Sequence, residues 1–342
     1  RGGRLKTERL SPSYVALDLT YRCALSCPFC FVRRNRLRGG RELGLAGWLK
    51  IIKALGPGRR RFYLTGGEPL LRPFLPGLVK ALKAGGNSVI VTTAGRAPAA
   101  AAAALAAAGP DEIVLSLHGP RALHDAQAGA GAWNAAMRSL AAMKSARRAG
   151  TRINIWCTIN RANHRRLPAV WRALSALGAD AVAFNHLEFV TDDDAAASRG
   201  LLAGAGLATP LRPSEELAGG INAPALAAGA AEVRRLAGDS VKFYPRLNAA
   251  GIKAWYSPSA RLKRPGFCLG QFNAAWFAPD GALLSCQPLA VRLAARPPDP
   301  LGAYNGAAYA SLRKLLVRNG GFFPSCRRCG RAPYSSAGRK YA

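Results

Sequence analysis

The sequence predicts an α/β protein whose core is a parallel sheet or barrel of six strand-helix units. Three observations support this fold class. Short β-branched or apolar runs alternate with longer helical patterns between residues 14 and 186, polar residues share one face of several strands, and three cysteines follow the first strand. A chain of 342 residues, 49% of them hydrophobic, can bury a core of that size.

The strands and helices follow each other regularly along this region. The predicted strands are Tyr14–Thr20, Arg61–Thr65, Ser88–Thr93, Ile113–Leu117, Arg152–Ile159 and Ala181–Asn185. The predicted helices are Leu43–Leu55, Pro73–Ala84, Ala97–Ala108, Trp133–Ala149 and His164–Leu177. A helix between each pair of strands is typical of a parallel arrangement.

The strands themselves are two-sided, because residues two apart point to the same face. In the first strand, Val15 and Leu17 oppose Ala16 and Asp18. The apolar faces must meet the surrounding helices, so the polar faces turn inward and predict a cavity for a polar ligand. The residues expected to face inward are Asp18, Ser116, Asn154, Thr158 and Asn185. Cys157 falls on an apolar face, and we expect it to be a buried structural residue.

The pattern is looser after residue 190. Val241–Leu247 predicts an isolated strand. An aromatic-rich hairpin is expected over Phe272–Ser285, with Pro279-Asp280-Gly281 as its turn, followed by a helix near Tyr309–Val317.

Composition narrows the classes of partner. The net charge is +31, but arginine, alanine and glycine are enriched along the whole length and not in one patch. This disfavours nucleic-acid binding and leaves an anionic small molecule or an acidic peptide as the better-supported partner. No run is long and apolar enough to cross a bilayer, so we expect a cytoplasmic protein with no membrane partner. In that compartment, the clustering of the eight cysteines favours metal thiolates over disulfides.

The first cysteine cluster, Cys23, Cys27 and Cys30, lies on one short loop at the carboxyl end of the first strand. Three thiolates can hold three corners of a 4Fe-4S cube and leave the fourth iron without a protein ligand. A zinc knuckle is the alternative, but it needs a fourth ligand nearby, and no histidine or cysteine follows closely.

This cluster, Cys-x3-Cys-x2-Cys with Phe29 before the third cysteine, resembles the signature loop of the radical S-adenosylmethionine superfamily. Tyr63–Pro69 ends the second strand and is similar to that family's GGEP motif. The resemblance implies that Gly66, Gly67, Glu68 and Pro69 hold the methionine end of the cofactor. Glycine suits a close approach of backbone to ligand. We therefore expect a side chain at Gly67 to block cofactor binding without loss of iron.

Weaker matches follow the next strands. Thr92–Gly95 resembles the family's Thr-Asn-Gly, and Ser116–Pro120 resembles its Ser-Leu-Asp-Gly-Pro turn with His118 in place of Asp. Thr158–Asn163 resembles the segment that follows the fifth strand. The resemblance implies that Phe29, Thr93, Ser116 and Asn163 also line the cofactor site. It does not identify a catalytic acid or base, and for His118 a structural role is favoured over catalysis.

A second cluster comprises Cys268, Cys286, Cys326 and Cys329. Together with the hairpin glycine Gly281, it is similar to the auxiliary-cluster region of the SPASM and twitch subgroups. Four thiolates suffice for one auxiliary 4Fe-4S cluster, and a zinc ribbon is the alternative.

The resemblance implies a partial (β/α)6 TIM-like barrel over residues 1–190, a bridging segment over 191–265 and a small twitch/SPASM-like auxiliary domain over 266–342. It implies reductive cleavage of S-adenosylmethionine at a 4Fe-4S cluster to give a 5′-deoxyadenosyl radical. The favoured use of that radical is peptide modification or cofactor maturation. The alternatives are a small-molecule cyclase or dehydrogenase and, in a different class, a basic zinc protein that binds RNA.

The same resemblance implies partners. A reductant such as flavodoxin or ferredoxin would supply the electron. About a dozen residues precede the first strand, so we expect a peptide substrate to be presented by a separate recognition protein.

Overall fold

The computed structural model describes residues 9–38, 40–264 and 266–330, together with the backbone of Tyr334–Ser335. Within these residues, ten strands form one sheet in the order β11-β10-β9-β1-β2-β3-β4-β5-β6-β7, and β8 pairs with β12. The strands are β1 Tyr14–Asp18, β2 Arg61–Thr65, β3 Ser88–Thr93, β4 Glu112–Ser116, β5 Arg152–Thr158, β6 Ala181–Asn185, β7 Val241–Tyr244, β8 Phe267–Cys268, β9 Ala274–Phe277, β10 Leu283–Leu284, β11 Arg292–Ala294 and β12 Tyr334–Ser335.

The helices lie between these strands, as predicted. They are α1 Phe31–Arg34, α2 Leu45–Ala54, α3 Leu75–Ala84, α4 Ala99–Ala107, α5 Arg121–Ala128, α6 Ala132–Ala146, α7 Leu167–Ser175, α8 Asp192–Ala203, α9 Ala223–Ala237, α10 Ala249–Trp255, α11 Gly270–Asn273, α12 Pro300–Tyr304 and α13 Ala307–Arg318. Proline stands in the first turn of α3, α7 and α9, where its missing N–H costs nothing.

Strands β1 to β7 pair in parallel in chain order, which confirms the open, partial barrel. The predicted faces are also confirmed. In β5, Ile153, Ile155 and Cys157 are fully buried, while the alternating residues Asn154 and Trp156 remain partly accessible. Cys157 therefore packs in the core under the helices, as expected.

The expectation of an isolated strand over 241–247 is wrong. Val241–Tyr244 pairs in parallel with β6 and becomes the seventh strand of the barrel. Val241 and Phe243 are buried, whereas Lys242 and Tyr244 are exposed toward the interior of the barrel. A single short strand carries no signal in the sequence that names its partner, so this pairing was not predictable from the pattern.

The predicted hairpin is confirmed, and the sheet includes it. β9 and β10 pair antiparallel around the Pro279-Asp280-Gly281 turn, and β9 also pairs in parallel with β1. Strands from all three predicted segments thus share one sheet. The division of the chain at residues 190 and 265 stays a prediction, and residues 1–8 and 331–333 and 336–342 of its outer segments lie outside the described residues.

Candidate active site

One large cavity, of about 1470 Å³, occupies the interior of the barrel. Small side chains contribute to its size: Ala183 and Ala274 line it where a compact barrel would carry large apolar side chains. Ser116, Asn154, Thr158 and Asn185 line it, as predicted, whereas Asp18 is fully buried in its wall. The cavity is also lined by Cys23, Cys27, Cys30, Cys268, Cys286, Cys326 and Cys329.

The first three of these cysteines lie on the loop from β1 to α1. Two backbone bonds shape this loop: Cys30 N–H donates to the Cys27 carbonyl at 3.3 Å, and Ser26 N–H donates to the Ala128 carbonyl at 3.2 Å. Burial raises the pKa of Cys27 to about 12 and raises the pKa of Cys23, and the neighbouring thiols of the trio add to both shifts. Neighbouring buried thiols of this kind become thiolates when a bound metal supplies the compensating positive charge.

The four C-terminal cysteines form a second group. Burial raises the pKa of Cys326 well above its usual value, and the nearby thiols Cys268, Cys329 and Cys286 raise it further. Arg264 donates to the backbone carbonyls of Cys326, at 2.9 Å, and of Cys329. Its guanidinium thus fixes the turn between these two cysteines.

Neither group is closed as tightly as a single-ion site. In the described part of the chain, no three His, Cys, Asp or Glu side chains lie close enough together to hold one metal ion. Thiolates on one tetrahedral zinc would be about 4 Å apart, given Zn–S bonds of about 2.3 Å. A four-iron cube binds each thiolate at a different corner, so it accepts thiolates that lie farther apart than those of a single zinc ion.

The glycines of the GGEP segment line the cavity, and they also pack against the cysteine loop. A Cβ at Gly66 would lie 2.3 Å from the Thr20 carbonyl oxygen, and one at Gly67 would lie 2.2 Å from the Arg22 carbonyl oxygen. Gly67 N–H donates to Thr20 at 2.6 Å, and Glu68 N–H donates to Arg22 at 2.9 Å. A side chain at Gly67 would displace the backbone just before Cys23. This clash argues against the expectation that such a variant keeps its iron.

Glu68 lies behind the cavity wall and is fully buried. Its Oε1 accepts hydrogen bonds from Thr93 Oγ1 at 2.6 Å and Leu70 N–H at 3.0 Å, and its Oε2 accepts one from Ala94 N–H at 2.9 Å. Burial raises the pKa of Glu68, and these donors oppose the shift. The carboxylate thus ties the end of β2 to the end of β3, and its direct contact with a ligand stays a prediction.

The other predicted cofactor residues divide into two sets. Phe29, Thr93 and Ser116 line the cavity, whereas Pro69 and Asn163 are buried outside its lining. Asn163 Nδ2 donates to the carbonyls of Thr158 at 2.9 Å and His118 at 3.1 Å. It therefore joins the loops after β4 and β5.

His118 takes part in this wall as a neutral imidazole. Its ring contacts Phe29 edge to face, with centroids 4.8 Å apart, and it stacks on His124 at 5.6 Å. Burial lowers the pKa of His118 to about 3 and that of His124 to about 4. Neither ring carries a proton to donate as an imidazolium near pH 7, which supports the structural role favoured for His118.

Several polar residues of the cavity were not predicted from the sequence. The Tyr21 hydroxyl donates a hydrogen bond to the Asp18 carboxylate. Asp18 Oδ1 also accepts a hydrogen bond from Gln287 Nε2 at 3.3 Å. Gln271 is 3% exposed, lies in the lining, and its Oε1 has no hydrogen-bond partner among the described residues. Gln271 and Gln287 reach the cavity only through the C-terminal segment, and no motif marks them.

A partial barrel with two cysteine groups in one internal cavity defines an enzyme of the iron-sulfur class. Residues 17–178 match the model of the radical SAM superfamily. This segment is a radical SAM domain, and such domains use a 4Fe-4S cluster and S-adenosylmethionine as cofactors.

Known proteins agree with this assignment. The chain is 25% identical over 279 residues to the PqqA peptide cyclase of Granulibacter bethesdensis, covering 80% of this chain and 67% of the relative. It is 35% identical over 157 residues to the PqqA peptide cyclase of Streptomyces rochei, covering 45% of this chain and 42% of the relative. The chain thus spans between two fifths and about two thirds of these relatives' lengths.

Solved structures share the fold. The AdoMet-bound structure of anSMEcpe has a TM-score of 0.61 at 14% identity, covering 91% of this chain and 83% of that chain. Streptococcus suis SuiB bound to the precursor peptide SuiA has a TM-score of 0.60 at 14% identity, covering 94% of this chain and 72% of that chain.

No helix in the described residues is both long and apolar enough to cross a membrane.

Proposed function

We propose that this enzyme modifies a peptide by radical S-adenosylmethionine chemistry, with Cys23, Cys27 and Cys30 holding the cluster that binds the cofactor. The observation that carries the proposal is the presence of two cysteine groups on one cavity of about 1470 Å³ inside the barrel. When bound, the cluster and S-adenosylmethionine supply a 5′-deoxyadenosyl radical that abstracts a hydrogen atom from the substrate. The match of residues 17–178 to the radical SAM model and the peptide-cyclase relatives favour an enzyme over the alternative, a non-enzymatic zinc protein that binds RNA.

The chain's own residues would prepare the site for this chemistry. The Gly66-Gly67 backbone lines the cavity beside the cysteine loop, and Thr93 and Ser116 line it at the ends of β3 and β4. The barrel encloses the reacting atoms and keeps bulk water from them. A reductant such as flavodoxin or ferredoxin would deliver the electron.

We infer that Cys268, Cys286, Cys326 and Cys329 hold an auxiliary 4Fe-4S cluster. Support comes from the mutual effect of these thiols on the pKa of Cys326 and from their position on the same cavity as the first trio. Anaerobically reconstituted protein should therefore carry about eight irons. Replacing Cys268 and Cys286 by Ala should leave about four. Stoichiometric zinc at these cysteines, or an unchanged iron count in the variant, would contradict the inference.

A peptide is the proposed substrate because relatives are peptide cyclases and a protein of the same fold binds a precursor peptide. A small-molecule cyclase or dehydrogenase is the second candidate, and the polar residues of the cavity wall are compatible with it. Turnover of a nucleotide or sugar in the absence of any peptide would favour this second candidate.

The central test separates the cysteine trio from the buried cysteine. With dithionite as reductant, the Cys23/Cys27/Cys30 triple Ala variant should release no 5′-deoxyadenosine. The matched control, Cys157→Ala, removes a thiol that packs in the core and should retain cleavage. Release of 5′-deoxyadenosine by the triple variant would overturn the proposed function.

A further inference from the structure

The interior of the barrel has two aromatic walls, one on β1, β2 and β9 and the other on β5 and β7. On the first wall, Tyr63 lies 6.2 Å from Tyr14 and 6.3 Å from Trp276 between ring centroids. On the second wall, the ring centroids of Trp156 and Tyr244 lie 6.2 Å apart. All five rings line the cavity.

Each wall also holds a buried polar atom that finds no partner. Among the described residues, neither Trp276 Nε1 nor Asn154 Oδ1 makes a hydrogen bond, and both atoms are buried. Trp276 is 8% exposed, and Asn154 uses its other amide atom to donate to Glu112 Oε1 at 2.6 Å. Buried polar groups are nearly always paired, so an unpaired donor and an unpaired acceptor on one cavity indicate a ligand that supplies both partners.

The rim of the cavity at the amino ends of the strands is positively charged. Arg61, Arg152 and Lys242 are exposed at the amino ends of β2, β5 and β7 and line the cavity. Two acids also line it there: Glu112 is held by Asn154 and by Arg152 at 3.8 Å, and Asp180 is held by Arg147 at 2.7 Å. The charge that remains at the rim favours an anionic ligand.

We propose that the space between these two walls binds an extended, acidic peptide segment that enters at the amino ends of the strands, opposite the cysteine loop. The inference rests on the proposed function and deepens it by naming the substrate class. A peptide group offers one carbonyl for Trp276 Nε1 and one N–H for Asn154 Oδ1. Apolar side chains of the segment lie between the aromatic walls, and its carboxylates meet Arg61, Arg152 and Lys242.

The test uses reconstituted enzyme with S-adenosylmethionine and two fluorescein-labelled synthetic peptides, one of alternating Glu and Leu and one of alternating Lys and Leu. Fluorescence anisotropy should show tighter binding of the Glu peptide by about tenfold or more. Trp276→Phe keeps the ring but removes the N–H, and it should weaken binding about two- to tenfold.

Two control variants make the result specific. Trp171→Phe alters a tryptophan of α7 outside the cavity lining, and Arg165→Gln alters an exposed arginine that is also outside the lining. Both should bind the Glu peptide as wild type does, whereas Arg61→Gln should bind it more weakly. Equal affinity for the two peptides, no saturable binding, or equal effects of Trp276→Phe and Trp171→Phe would overturn the inference.

A separate measurement keeps the two proposals apart. Release of 5′-deoxyadenosine by the wild-type enzyme without peptide tests the proposed function and does not depend on peptide binding between the aromatic walls. If that release occurs but the variants do not differ in peptide affinity, only the peptide-binding inference is wrong. If it does not occur, the proposed function itself fails.

Discussion

At Gly67 the absence of a side chain maintains the geometry of the cysteine loop. Its Cβ position is 2.2 Å from the Arg22 carbonyl oxygen, a backbone atom that cannot move without moving Cys23. We expect Gly67→Ala to lose iron from the first site as well as cofactor affinity, because the clash displaces the loop that carries the trio. Iron content and S-adenosylmethionine binding of the anaerobic variant would be measured together.

A matched control for this substitution lies in α3. A Cβ at Gly77 would meet only Leu45 Cδ2, at an ordinary contact distance of 3.5 Å. Gly77→Ala should therefore keep full iron content and gain a few tenths to about 1 kcal/mol of stability from helix propensity. Retention of wild-type iron in Gly67→Ala would show that the loop tolerates the added carbon.

Glu68 offers a second test at the scale of one residue. Both Glu68 carboxylate oxygens accept hydrogen bonds from backbone N–H or hydroxyl groups. Glu68→Gln replaces one of these oxygens with an NH2 group, which cannot accept a hydrogen bond. Because the site is fully buried, one donor is left unsatisfied, at a cost of about 1 to 3 kcal/mol. The variant should melt at a lower temperature even without cofactor.

The same variant separates two roles of the carboxylate. If Glu68 also pairs with the methionine ammonium, affinity for S-adenosylmethionine should fall about ten- to a hundredfold. A drop in melting temperature with unchanged affinity would assign Glu68 to positioning alone. Unchanged values of both would contradict the hydrogen bonds described for it.

Among the elements, the turn Cys326-Arg-Arg-Cys329 depends on a buried arginine. Arg328 is 1% exposed in its side chain, and it donates to the carbonyls of Trp255 at 2.7 Å, Ser257 at 2.6 Å and Ala260 at 2.9 Å. It also lies 3.7 Å from the buried carboxylate of Asp194. These contacts attach the turn to the end of α10 and to the start of α8.

We expect Arg328→Met to destabilise the protein by about 1 to 3 kcal/mol, since it leaves three carbonyls without their shared donor, whereas Asp194 keeps its ion pair with Arg327. Iron content should fall toward that of the Cys268/Cys286 variant, because the turn holds two of the four C-terminal cysteines. The control, Arg318→Met, removes an exposed arginine at the end of α13. Equal iron content in the two variants would show that the turn does not need Arg328.

Considered as a whole molecule, the protein buries all four of its histidines as neutral groups. Burial lowers the pKa of His118 and His186 to about 3 and of His124 to about 4, and it also lowers the pKa of His164. In the unfolded chain these groups titrate near 6.5. The unfolded state therefore binds more protons than the folded state below about pH 6.5.

The sign of the pH dependence follows from this difference. The stability contribution is present above about pH 6.5 and decreases as the pH falls toward the folded values, by roughly 1.4 kcal/mol per histidine per pH unit. The melting temperature should therefore decline as the pH is lowered from about 7.5 to about 5.5. His186→Gln should show a shallower decline than wild type, and an identical slope would mean that His186 is protonated in the folded protein.

Local features of this protein could be predicted from short runs of its sequence. Period-two alternation in Arg152–Thr158 depends on the residues of one strand alone, and it correctly predicted the inward Asn154 and the buried Cys157. The β2, β3 and β6 bounds match the prediction residue for residue, because each strand is a short apolar run between polar turns. The cysteine spacing likewise identified the superfamily, since the motif is contiguous in the chain.

Contacts between distant segments become visible only in the folded chain. The pairing of β7 with β6 and of β9 with β1, and the positions of Trp276 and Gln271 on the cavity, depend on contacts between residues far apart in sequence. The role of Gly67 depends in the same way on the backbone of Arg22 in another loop. A residue pattern predicts which side chains are buried but not which residues they pack against, because many different partners would bury them equally well.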